Sequence, residues 1–130
     1  MKTKLLMTAS AAFMFAMGVV LSFLPQETLI YLGSEPAALV TLLVQVTGGL
    51  YLGFAFVNWT ARASLIGGIY NRAVALGNFL HFAAVTAALI KAVIAGQRNE
   101  AVLAGALIYT VFAVWFGRVL FTHPVPDTKG

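Results

Sequence analysis

Residues 36–61 read PAALVTLLVQVTGGLYLGFAFVNWTA, 26 residues without a charge between Glu35 and Arg62. A helix that crosses a bilayer needs about 17–25 mostly apolar residues. This stretch meets that length, and proline suits the first turn of a helix. Three further charge-free runs surround it: 5–26, 73–90 and 101–117, of 22, 18 and 17 residues. Four spans follow, at about 5–24, 37–58, 73–95 and 101–121.

The composition agrees. Of 130 residues, 61% are hydrophobic and 9% are charged, with no cysteine. A soluble domain is about 45–50% apolar and about 25% charged, and a short chain in water could not bury the excess. The composition argues against a soluble enzyme, a disordered tail and a disulfide-stapled secreted module alike. The expected fold is all-α: a multi-pass membrane protein forming one antiparallel four-transmembrane-helix bundle over residues 1–130. Such a bundle satisfies every backbone polar group internally.

Punctuation refines the spans. Lys2 and Lys4 precede the first one, as in a signal peptide. The run exceeds the 7–15 residues of a signal core, however, so a retained helix is expected. Pro25 should end it. Residues 26–33 read as a short interfacial helix with Tyr31 at the headgroups. Ser34 and Glu35 are candidate caps for the second span. The apolar 64–70 connection, with Gly67 and Gly68 as a flexible point, should lie at the interface or dip into the bundle mouth. The tail 124–130 should be flexible.

Basic residues orient the chain. Lys2, Lys4, Arg62, Arg72, Arg118 and Lys129 fall on one side, against Lys91 and Arg98 on the other. Both termini are therefore expected in the cytoplasm. Trp59, Tyr70 and Trp115 lie near the same boundary, where amphipathic rings settle. The net charge of +4 suits anionic headgroups. It forms no basic stripe, so nucleic acid is not an expected partner.

Polar residues at membrane depth carry what functional signal there is. Asn58 and Arg62 are four apart and share a helix face. Asn71, Asn78 and His81 share another, at spacings of seven and three. Folded together, these faces with Arg72 would make a cytoplasm-facing pocket, its apolar part lined by Tyr51, Phe54 and Phe82. Interhelical packing is the commoner role for such residues. The sharper reading is a site in which Arg62 and Arg72 hold an anion while Asn58, Asn71, Asn78 and His81 orient polar atoms.

Other chemistry is poorly supplied. All four acidic residues lie in connections, at a helix edge or in the tail, and there is no cysteine nucleophile, so no enzyme activity is expected. No metal site or cofactor is expected, since His81 has no ligand-type neighbour and His123 sits in the tail. Lack of an acid at depth also weighs against a cation channel or proton-coupled pump. Gly49 and Gly53 form a GxxxG pattern suited to close helix approach, within the bundle or in a homo-oligomer. Ala113 and Gly117 repeat it more weakly. Gln45 and Thr47 read as packing contacts, and Lys91 and Arg118 as snorkelling side chains.

The runs Gly48–Trp59, Ile66–Arg72 and Leu76–Phe82 resemble small four-helix bacterial inner-membrane proteins without an assigned activity, distantly DoxX-like. That resemblance implies a bacterial inner membrane and a four-helix bundle, and carries no functional residue. The function expected is binding of a membrane lipid or other amphipathic anion. A structural homo-oligomer is the alternative, followed by a small-molecule transporter or channel.

Overall fold

The computed structural model describes residues 2–63 and 69–122, apart from the side chains of Lys2, Ile69 and Tyr70. The expectations for 64–68, for the Tyr70 ring, and for 123–130 with His123 and Lys129 lie outside the described residues. Helices are α1 (Lys2–Phe23), α2 (Pro25–Tyr31), α3 (Ala38–Ala61), α4 (Ile69–Ile94) and α5 (Glu100–Thr122). Among the described residues there is no strand. Thr3–Phe23, Ala38–Ala61, Asn71–Ile94 and Glu100–Thr122 are each long and apolar enough to cross a bilayer. The protein is all-α and multi-pass.

Helix ends follow local chemistry. Pro25 ends α1 as expected and also opens α2 at its first turn, where its missing N–H costs nothing. At the end of α2, Gly33 takes φ +81. The Gly33 and Ser34 amides donate to the Ile30 and Leu29 carbonyls, a hydrogen-bonding pattern that closes a helix through a left-handed residue. Gly96, at φ +104, does the same for α4, its amide and that of Gln97 reaching Val93 and Ala92. Three residues later the Asn99 side chain accepts from the Val102 amide at 2.9 Å and starts α5. The cap of α3 differs from expectation. Ala37, extended at ψ 155 and making no side-chain bond, precedes the helix, so neither Ser34 nor Glu35 caps it.

Contacts divide the chain into two compact units, Met7–Arg62 and Met1–Leu6 with Ala63–Gly130. In the first, α1 and α3 run antiparallel. Ser10 meets Asn58, Phe15 meets Phe56, and Gly18 meets Leu52. The buried stripe of α1 is Met7, Ser10, Ala11, Met14 and Gly18; that of α3 is Gly48, Tyr51, Ala55 and Asn58. Helix α2 lies against α3 and buries Pro25 and Leu29. In the second unit, α4 and α5 form an antiparallel hairpin, with Leu89 near Gly105 at one end and Phe79 against Phe121 at the other.

Large apolar side chains remain exposed along all four spans, among them Leu42, Leu50, Leu80 and Leu107. In water that surface would be a liability; in hydrocarbon it is the solvent-matched face. The hydroxyls of Thr47, Thr60 and Thr110 donate to carbonyls one turn back on their own helix, which satisfies them without a partner helix. Thr47 and Gln45 are both exposed, contrary to the packing role expected of them. In α3 they fall outside the arc that faces α1.

Candidate functional site

Asn58 is fully buried. Its amide donates to the Ser10 hydroxyl at 3.0 Å and approaches the Met14 sulfur at 3.9 Å. Ser10 in turn donates to the Met7 carbonyl at 3.1 Å. This relay ties α3 to α1 at the depth where an unmatched amide would be costly.

One turn on, α3 ends in a second polar group. Arg62 is the residue after the last helical position. Its guanidinium lies 3.6 Å from the centroid of the Trp59 ring and donates to the Trp59 carbonyl. A cation here meets both the indole face and the negative end of the helix dipole. Arg62 thus has a fixed position without a carboxylate among the described residues pairing with it.

Beside that ring, α1 and α3 part to leave an apolar cavity of about 370 Å³, lined by Ala11, Ala12, Phe15, Ala55, Phe56 and Trp59. Its origin is in side-chain size. Ala11, Ala12 and Ala55 leave the space, while Phe15 and Phe56, edge to face at 6.2 Å, wall it. Ala12, Phe15, Phe56 and Trp59 are exposed, so the cavity opens sideways from the helix pair. Volumes of 300–1,000 Å³ are typical of small-ligand sites. The arrangement can hold an apolar chain and present a guanidinium beside it.

The remaining candidates are described each within its own helix. Tyr51 is buried in α3 and Phe54 is half-buried; neither lines this cavity. Asn71 and Arg72 lie in the first turns of α4, half-buried and exposed respectively. Asn78 is fully buried and its amide donates to the Val74 carbonyl at 2.9 Å. His81 is about 15 Å from Asn71 along the helix. Its ring lies 4.9 Å from Phe82 and 5.6 Å from Tyr109. Phe82 is the centre of an aromatic cluster, stacked on Phe112 at 4.8 Å and on Phe116 at 5.6 Å.

Gly49 and Gly53 face open space, with nothing among the described residues within 4 Å of a Cβ at either position. Close approach is made instead by Gly18 and Gly48, where a Cβ would stand 2.9 Å from the Leu52 nitrogen and 2.7 Å from the Ser22 nitrogen. Sequence reasoning also gave no role to Phe15 and Phe56 and no packing role to Ser10. The run Ala9-Ser10-Ala11-Ala12 held the available signal, a patch of small residues with one hydroxyl inside a bulky apolar span.

No family model matches the chain, and no curated protein or solved structure matches it either.

Proposed function

We propose that this membrane protein binds an anionic amphiphile, its apolar chain in the α1–α3 cavity and its charged group at Arg62, without catalysing a reaction. The observation that carries this reading is the cavity of about 370 Å³ whose Trp59 wall bears the Arg62 guanidinium. A planar guanidinium suits a phosphate or carboxylate, and the acids of that unit, Glu27 and Glu35, lie beyond the opposite end of α1 and before the start of α3. Described basic residues favour one end of the helix pairs, with Lys2, Lys4 and Arg62 for α1 and α3 and Arg72 and Arg118 for α4 and α5, over the other end, which carries Lys91 and Arg98. The positive-inside tendency therefore supports those ends, and both termini, in the cytoplasm. Placement in a bacterial inner membrane, and kinship with the small DoxX-like four-helix proteins, belong to the same proposal and rest on the sequence resemblance.

Native mass spectrometry with phosphatidylglycerol and phosphatidylcholine tests the binding. Wild type should retain the anionic lipid preferentially, and Arg62→Gln should weaken that retention about fivefold, the effect of about 1 kcal/mol per basic group at a membrane surface. Equal retention by the two proteins would end this reading.

One observation favours a second reading, a homo-oligomer. Gly49 and Gly53 stand on the side of α3 opposite its buried stripe and pack against no described residue. A second copy of α3 is the natural counterpart for such a surface.

A further inference from the structure

A second apolar groove lies on the α4–α5 hairpin, about 650 Å³ in volume, shallow and largely open. Phe79 of α4 and Phe121 of α5 meet edge to face at 5.5 Å across it. Gly117 explains why the ring of Phe79 can reach α5, since a Cβ there would stand 3.1 Å from the Phe79 Cε1. Val114, one turn deeper and exposed, continues the groove towards the membrane centre. Arg118 lines the same groove and is exposed.

The charge decides what fits. Glu100 is the described acidic residue of this unit and lies 18 positions before Arg118, about 27 Å along the helix. No described carboxylate neutralises Arg118, and its stem can run along apolar surface while the guanidinium reaches for headgroup level. An acidic peptide would leave the apolar groove unfilled, and a neutral chain would leave the cation unanswered. We infer that the α4–α5 groove is a binding site for one anionic phospholipid, with an acyl chain over Gly117 and Val114 and the phosphate at the Arg118 guanidinium. This assignment is independent of the α1–α3 cavity, because every residue in it belongs to the hairpin.

The test uses the full-length chain carrying Arg62→Gln, so the fate of the α1–α3 site does not enter the result. Phosphatidylglycerol and phosphatidylcholine are titrated separately and bound lipid is counted by native mass spectrometry. Arg118→Gln should weaken binding of one phosphatidylglycerol about fivefold, and Arg118→Lys by less than about twofold. Val114→Trp, which fills the groove without touching the charge, should weaken the same binding event. Circular dichroism melting confirms that each variant is folded. Identical phosphatidylglycerol curves for Arg118→Gln and its parent would overturn the site. So would an equal loss of phosphatidylcholine, which marks nonspecific boundary lipid. A change in oligomer size with unchanged lipid count would assign the groove to a second copy instead and overturn it equally.

Discussion

The amide of Asn58 is fully buried, and the fold brings the Ser10 hydroxyl to it. In membrane proteins such contacts are worth about 0.6–1.7 kcal/mol by double-mutant cycles. We expect Asn58→Ala to destabilise the protein by about 1–2 kcal/mol, since it removes the bond and leaves a small void. Ser10→Ala should cost about 0.6–1.7 kcal/mol, since it removes the same bond. The decisive quantity is the coupling in reversible unfolding by dodecyl sulfate: the double variant should lose less than the sum by about 0.6–1.7 kcal/mol. Additivity within about 0.3 kcal/mol would mean the bond does no stabilising work. Sequence alone marked Asn58 as a polar residue at depth, because any amide there stands out. It did not reveal Ser10, since a serine in a helix can bond its own backbone and only the α1–α3 register shows which neighbour it serves.

At the scale of helices, Gly18 and Gly48 set how closely α1 and α3 approach. The atoms that a new Cβ would meet include backbone nitrogens of Leu52 and Ser22, which cannot swing aside as a side-chain tip does. Gly48→Ala must therefore push the helices apart, at a cost of about 1–3 kcal/mol. Gly53→Ala meets open space and should gain up to about 1 kcal/mol from helix propensity where the unfolded reference is solvated. Opposite signs in the same unfolding titration are the expected outcome; matching signs would contradict the packing described. The spans themselves were legible because each is bounded by charges, and Pro25 ends α1 by chemistry that acts locally. Faces were harder to read. A helix in lipid is apolar all round, so the pattern Gly48-Gly49…Gly53 could not say which glycine points inward. The same loss of face information hid the cavity, whose Ala11, Ala12 and Ala55 look like ordinary span residues.

For the whole molecule, exposed apolar surface is the normal state of a membrane protein, so the informative feature is where that surface is also smooth. On α3, Leu42, Gly49 and Gly53 fall within about 40° of one another at 100° per residue and opposite the buried Gly48, Tyr51, Ala55 and Asn58. Two copies of α3 meeting there would bring backbones close, as small residues at helix crossings allow. The chain has no cysteine, so single cysteines report this contact without interference. Leu42→Cys should form a disulfide-linked dimer on oxidation in native membranes, because Cα atoms within about 7 Å can be bridged. Leu43→Cys, turned about 100° away, should crosslink several-fold less. Adding Gly49→Leu to Leu42→Cys should reduce the dimer several-fold, since a bulky side chain separates the backbones. Absence of dimer from Leu42→Cys at native expression would leave the smooth face to lipid. Crosslinking at both cysteines alike would report random collision. A dimer that appears at Leu42→Cys and fades with Gly49→Leu would show that α3 is shared between copies.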